Sequence, residues 1–191
     1  MISEALNIIQ GNIARACQTS GREVSAVKII AVSKNTGLEL ITGAFNAGLT
    51  DFGENKAQEL AEKAALLDKS IRWHFLGHLQ RNKVKQVVPI AEYIHSVDSV
   101  RLAEEINIQA GRISKIQKIL LEVKTSDEES KYGISNPEEL LKLAEACSRF
   151  PNIELTGLMT MAPYTEDEKI IRKSFSDLRK LKATLYGKGY P

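Results

Sequence analysis

Short apolar runs alternate along the chain with longer segments in which apolar residues recur at helical spacing. The runs predict buried strands, and the helical segments predict helices that pack on them. Strands are predicted over Val27–Ser33, Leu49–Phe52, Arg72–Leu76, Tyr93–Ser96, Ile116–Val123 and Ile153–Met159. Helices are predicted near Met1–Gln18, Glu39–Ala47, Lys56–Leu67, Gln80–Val88, Ser99–Ala110, Pro137–Ser148 and Glu166–Tyr186.

This order of elements predicts an α/β protein with a parallel sheet, because parallel neighbours need a helical crossover between them. Both a doubly wound open sheet and a (β/α)₈ barrel satisfy the pattern. No GxGxxG or GxxxxGK[ST] motif follows a predicted strand, which disfavours a nucleotide-binding doubly wound fold. A closed barrel has eight strands. On the barrel interpretation, the last one or two strands are therefore not within residues 1–191.

The composition narrows the class of partner. Hydrophobic residues make up 43% and charged residues 26% of the chain, as in a globular domain with a substantial core. The net charge of +2 indicates no basic surface for nucleic acid or an acidic membrane, and no apolar stretch is long enough to span a bilayer. Cys17 and Cys147 form no CxxC pair, which favours a reducing cytoplasm over a disulfide framework.

In either parallel architecture, functional side chains gather where strands end. Lys34 closes the first predicted strand, on the face of Ile30 and Val32. Partial burial there would favour the neutral amine that Schiff-base chemistry needs. The alternative is a lysine whose ammonium group simply reaches water.

Asn55 follows Gly53 and Glu54 at the end of the second predicted strand. Its side chain can cap the next helix, with Gln58 completing a capping box. A cap at a strand-to-helix turn can also face a ligand above the sheet, so the two roles are compatible.

His74 lies between two aromatic residues of the third predicted strand and points to the opposite face. A strand histidine of this kind is most often a hydrogen-bonded core residue. No acid partner is readable at a fixed spacing, so a nucleophilic triad has little support. Zinc binding through His74, His78 and His95 lacks a motif, and neither a metal site nor a catalytic residue is predicted.

Several blocks of residues together resemble the pyridoxal-phosphate homeostasis proteins, which are also described as alanine-racemase N-terminal-domain-like proteins. The resemblance covers about Val27 to Pro163, and its blocks occur in the order found in that family. They are Ala31–Lys34, Phe52–Asn55 with Gln58–Glu59, Trp73–Gly77 with Leu79–Gln80 and Asn82–Lys83, His95–Ser99, Ser130–Gly133 and Gly157–Pro163.

The resemblance implies a single-domain (β/α)₈ barrel of the alanine racemase type that binds pyridoxal 5′-phosphate. Lys34 matches the lysine that forms the Schiff base, or aldimine, with the cofactor. Asn55, His74 and Met159 match positions expected near the cofactor. Members of the family are thought to buffer or deliver the cofactor, with pyridoxal-phosphate-dependent apoenzymes as possible recipients. A cytoplasmic monomer or weak dimer without established turnover is the resulting expectation.

This sequence departs from the family pattern at two places. Lys124 stands where the family usually has asparagine, and we expect its side chain to reach solvent because two buried amines would repel. The chain also stops at Pro191, before the segments that would supply the final strands and the usual barrel phosphate site. We therefore expect weak cofactor binding by residues 1–191.

Two other functions remain open on the sequence. One is a racemase-like enzyme that uses the same aldimine, although a racemase needs a second acid/base on the opposite side of the cofactor. No tyrosine of the chain has a recognisable racemase context. The other is a barrel scaffold that has lost cofactor binding together with its carboxyl-terminal part.

Overall fold

Six parallel strands pair side by side in the computed structural model, which describes residues 2–125 and 132–191. The strands are β1 (Ala31–Val32), β2 (Asp51–Glu54), β3 (Arg72–Phe75), β4 (Ala91–Val97), β5 (Gln117–Glu122) and β6 (Ile153–Met159). The α-helices are α1 (Ile2–Ser20), α2 (Leu38–Asn46), α3 (Ala57–Leu66), α4 (Val84–Val87), α5 (Val100–Gly111), α6 (Pro137–Ser148) and α7 (Glu168–Tyr186).

The order of the strands in the sheet is their order along the chain, β1-β2-β3-β4-β5-β6. Right-handed crossovers that always advance in one direction place their helices on one face of the sheet. A doubly wound sheet instead reverses direction at a switch point. Successive helices from α3 to α7 contact one another along the sheet. This is the arrangement of a (β/α)₈ barrel wall, and it rules out the doubly wound alternative.

The hydrophobic core lies between the sheet and the helices. Phe52 of β2 is in register with Trp73 of β3, and their ring centroids are 6.1 Å apart. Ile119 and Leu121 of β5 extend this apolar face, and both are fully buried. Since side chains alternate across a strand, the intervening residues of each strand point to the other face, which forms the barrel interior.

Two helices begin at side chains that cap them. The side chain of Asn136 accepts a hydrogen bond from the Glu138 amide at 2.8 Å, and Pro137 occupies the first turn of α6. Asp167 accepts from the Lys169 amide at 2.8 Å at the start of α7. The predicted bounds of α6 are confirmed, whereas α7 begins two residues later than predicted.

The largest difference from the sequence prediction is the first strand. Val27–Ser33 was expected, but only Ala31 and Val32 stand in register with β2. The apolar run on which the prediction was based extends beyond the two residues that pair with β2. The predicted helix Gln80–Val88 likewise divides into a short 3₁₀ turn over Arg81–Lys83 followed by α4. Among the described residues, no helix combines the length and apolar character needed to cross a membrane.

Candidate functional site

A row of residues crosses the barrel-interior face of the first four strands. Val32, Gly53, His74 and Tyr93 are consecutive partners in the registers of β1 to β4. On the fifth strand, Lys118 is the partner of Tyr93. Apart from Val32 and Gly53, these residues are polar or carry a polar group. The interior face therefore offers hydrogen-bonding and charged groups, in contrast to the apolar face under the helices.

Lys34 lies in the turn that follows β1, two residues beyond Val32. Its side chain is exposed, so the partial burial expected at the strand end is not found. The preceding residue, Ser33, is buried, and the following residue, Asn35, has a left-handed backbone with φ 57°. The amine is thus accessible from solvent, while the backbone that carries it is held in a defined turn.

Helix α3 packs its charged side chains against this turn. Lys63 Nζ donates to the Ser33 carbonyl oxygen at 2.7 Å and to Glu54 Oε1 at 2.7 Å. Glu54 Oε1 also accepts from the Ser33 hydroxyl at 2.7 Å. On the other side of Lys34, the Asn35 amide donates to Glu59 Oε2 at 3.1 Å. These contacts hold the backbone of the turn around Lys34 against α3.

Asn55 follows β2, beside Lys34 at the neighbouring strand end. The predicted capping role is wrong: Lys56 is the N-cap of α3, so Asn55 lies one residue too early. Gln58 donates to Glu62 instead of completing a capping box. The Asn55 side-chain oxygen is buried and has no hydrogen-bond partner within the described part of the chain. This oxygen is available for a ligand.

His74 is the centre of a buried hydrogen-bonded row. Its Nε2 lies 3.0 Å from Asp51 Oδ1, and its Nδ1 lies 2.9 Å from His95 Nε2. Because a carboxylate only accepts, His74 carries its proton on Nε2, and neutral His95 donates to His74 through its own Nε2. The ring of Tyr93 stacks on His74 with centroids 5.0 Å apart. Both nitrogens of His74 are therefore occupied by protein partners.

The surroundings keep this row in one charge state. Burial lowers the pKa of His95 to about 4, with a smaller contribution from the nearby His74. Burial also lowers the pKa of His74, opposed by its hydrogen bond to Asp51. Burial alone would raise the pKa of Asp51, but hydrogen bonds from Arg72, His74, Thr50 and Lys28 hold it well below its usual range. The two histidines are thus neutral and the aspartate is ionised near pH 7.

Met159 ends β6 and stands in register with Glu122 of β5. Burial raises the pKa of Glu122 to about 7, and the charge of Asp98 adds to this. One carboxyl oxygen of Glu122 is buried without a hydrogen-bond partner among the described residues. Lys124, two residues further, is half-buried.

The predicted site residues lie on or directly after four different strands of the sheet. Lys34 and Asn55 follow adjacent strands, His74 lies within β3, and Met159 belongs to the opposite edge of the described sheet. Sequence reasoning missed Asp51 and Glu122, because only cross-strand register reveals their neighbours. Within residues 2–125 and 132–191, no three His, Cys, Asp or Glu side chains could hold a metal ion. The Ser130–Lys131 part of the family blocks lies outside these residues.

Comparisons with known proteins agree with this geometry. The family model of the alanine racemase N-terminal domain matches residues 5–191. A pyridoxal phosphate homeostasis protein of Aquifex aeolicus is 39% identical over 183 residues, which cover 95% of this chain and 80% of the relative.

Two solved structures extend the comparison. An unknown protein from Bifidobacterium adolescentis superimposes with a TM-score of 0.91 at 35% identity, covering 100% of this chain and 81% of the other. PipY of Synechococcus elongatus, with PLP bound, gives a TM-score of 0.79 at 32% identity, covering 92% of this chain and 82% of PipY. From the family model, the relative and the shared barrel fold, it follows that the chain belongs to the pyridoxal phosphate homeostasis protein family, built on the fold of the alanine racemase N-terminal domain.

Proposed function

We propose that this chain binds pyridoxal 5′-phosphate through the amine of Lys34 and acts in cytoplasmic homeostasis of that cofactor. The observation that carries the proposal is the exposed Lys34 amine at the carboxyl end of β1, in a chain that is 32% identical to PipY with PLP bound. The carboxyl ends of barrel strands are the usual place for such a site.

The covalent step is imine formation. The neutral Nζ amine of Lys34 adds to the aldehyde carbon, and loss of one water molecule leaves a C=N bond in place of the C=O bond. No oxidant or reductant is consumed.

Other interior groups fit a polar aromatic ligand. The buried oxygens of Asn55 and Glu122 have no partner in the described residues, and an unsatisfied buried polar atom costs about 1–3 kcal/mol. A ligand with donor groups would remove that cost. Met159, in register with Glu122, would contact the ligand through its thioether. The occupied nitrogens of His74 give it a supporting role beneath the site rather than a direct polar contact.

The test is chemical trapping followed by peptide mapping. The protein is mixed with pyridoxal 5′-phosphate, reduced with borohydride and digested, and the modified peptide is identified by mass spectrometry. We expect one dominant adduct on Lys34 that disappears in Lys34→Ala. Lys85→Ala is the matched control, because Lys85 is an exposed lysine on α4. An adduct that persists in Lys34→Ala contradicts the proposal.

We propose a carrier function, with apoenzymes that need the cofactor as recipients, rather than a catalysed turnover. The rival racemase activity is tested by incubating the loaded protein with an L-amino acid in deuterated water. Sustained stereoinversion with deuterium at Cα would establish the enzyme instead. We expect transfer of the cofactor to an apoenzyme without such inversion.

A further inference from the structure

We propose that Glu59 and Lys63 of α3, together with Glu54, are positioning residues for Lys34. They hold the two peptide groups that flank this lysine and so set the direction in which its amine is presented. The inference rests on the proposed function of Lys34, and it adds a means of preorganisation from a helix that carries no predicted site residue.

The peptide group that precedes Lys34 is held by a buried ion pair. Lys63 Nζ lies 2.7 Å from the Ser33 carbonyl oxygen and 2.7 Å from Glu54 Oε1. The side chains of Lys63 and Glu54 are 9% and 0% exposed, so water cannot replace these bonds readily. The Ser33 hydroxyl donates to the same oxygen of Glu54. The ammonium group thus joins the end of β1 to β2.

The peptide group that follows Lys34 is held by Glu59. Its Oε2 accepts from the Asn35 amide at 3.1 Å and lies 3.2 Å from Lys63 Nζ. Asn35 adopts a left-handed backbone, a conformation that asparagine takes more readily than most other non-glycine residues. Its amide in that conformation donates to the Glu59 carboxylate. Both peptide groups beside Lys34 are therefore fixed through one ammonium group on α3.

A purely stabilising role explains this arrangement poorly. Burying charges requires their desolvation, and apolar replacements of buried ion pairs are often as stable. Here the charged groups bond to the backbone of the lysine turn as well as to each other. Holding a reactive group in its productive direction before the ligand arrives lowers the entropic cost of reaction and binding. The network is suited to that purpose.

The charge of Glu59 is secure over the physiological range. The hydrogen bond from the Asn35 amide, followed by those from Lys56 and Lys63, lowers the pKa of Glu59 to about 2. The carboxylate is therefore ionised at neutral pH. The positioning is accordingly constant rather than switched by pH.

The test compares three substitutions on α3. Glu59→Ala removes the acceptor of the Asn35 amide, whereas Glu59→Gln retains a side-chain oxygen that can accept it. Glu62→Ala is the matched control, since Glu62 is exposed on the same helix and accepts a hydrogen bond from Gln58 rather than from the lysine turn. We expect Glu59→Ala to raise the apparent Kd for pyridoxal 5′-phosphate about tenfold, equivalent to about 1.4 kcal/mol. Glu59→Gln is expected to recover most of the affinity.

A second readout needs no cofactor. In the ligand-free protein, hydrogen exchange of the Asn35 amide and the rate of Lys34 acylation by a small anhydride report the turn directly. In Glu59→Ala, the Asn35 amide is expected to exchange faster and the acylation rate of Lys34 to change. In Glu62→Ala, both rates are expected to stay at wild-type values. The two variants are expected to have equal melting temperatures. Unchanged exchange and acylation in Glu59→Ala would overturn the inference, as would an equal loss of affinity in Glu62→Ala.

The two proposals fail in different ways. If the wild-type protein forms no adduct on Lys34, the proposed function fails, and the exchange and acylation rates still decide whether α3 positions the turn. If the adduct forms with the same Kd in wild type and Glu59→Ala, Lys34 binds the cofactor but positioning by Glu59 is wrong. A tenfold loss together with faster exchange supports both.

Discussion

His74 and His95 are joined directly, with His74 Nδ1 2.9 Å from His95 Nε2 across β3 and β4. Asp51 on β2 bonds the other nitrogen of His74 at 3.0 Å. Three neighbouring strands are thereby linked by side chains on the barrel-interior face as well as by their backbones. The row of Asp51, His74 and His95 lies beneath the proposed site. Because the row is buried, the stability of the fold depends on the charge state of each member.

Asp51→Asn is expected to lower the free energy of unfolding by about 2 kcal/mol. The amide cannot compensate the charges of Arg72 and Lys28, and it leaves the buried row without its carboxylate. Urea unfolding at pH 7 measures the effect. Glu104→Gln, an equivalent change on the exposed surface of α5, is the control and should stay within about 0.5 kcal/mol. Equal behaviour of the two variants would contradict the structural role of Asp51.

His95→Gln is expected to flatten the loss of stability in acid. The folded state keeps His95 neutral down to about pH 4, whereas the unfolded chain takes up the proton near pH 6.5. The unfolded state therefore binds more protons in that window, and His95 makes stability fall as the pH falls from 6.5 to 4. Glutamine keeps a donor toward His74 but does not titrate. Unfolding midpoints in urea between pH 4 and 7 measure the slope, and an unchanged slope would refute the prediction.

Glu122→Gln should have the opposite effect on the pH profile. The folded state retains the Glu122 proton up to about pH 7, whereas the unfolded chain releases it near pH 4.5. Folding thus becomes less favourable as the pH rises between these values, and the cost remains above pH 7. The variant is expected to be more stable than wild type at pH 8 by about 1 kcal/mol, reduced from the full shift because the side chain is only half-buried. If Glu122→Gln and wild type are equally stable at pH 8, or differ only at pH 4, the prediction is wrong.

Gly77→Ala tests the packing of the loop after β3 on Asn55. A Cβ atom at this position would lie 2.2 Å from the Asn55 carbonyl oxygen, so the backbone of Asn55 must shift. We expect a loss of about 1–3 kcal/mol in stability and weaker cofactor binding. Gly11→Ala is the control, because Gly11 lies in α1 with open space around it and should gain up to about 1 kcal/mol. Calorimetry distinguishes the opposite signs, and a stabilised Gly77→Ala would overturn the packing argument.

The local sequence pattern was sufficient for the elements with clear apolar runs. The bounds of β6 and α6 are as predicted. The order of elements indicated a parallel α/β fold, and the family resemblance indicated the barrel. The first strand was overestimated because apolar character continues where hydrogen-bonding partners do not.

The contacts of the site were harder to foresee, because they depend on register between distant segments. His74 was identified as a hydrogen-bonded strand residue, but its partners Asp51 and His95 come from other strands. Lys63 gave no signal in the sequence: a lysine on a helix is usually solvated, and only the fold brings it under the Ser33 carbonyl. The roles of Lys34, Asn55 and Met159 at the cofactor stay predictions.

The side chains described above as holding the lysine turn belong to residues 33–63, which run from the end of β1 into α3. The longest loop that these bonds close has its ends 30 residues apart, so its closure costs less chain entropy than a contact between β1 and β6. The lysine and the side chains that hold its turn are thus carried by one contiguous piece of the chain.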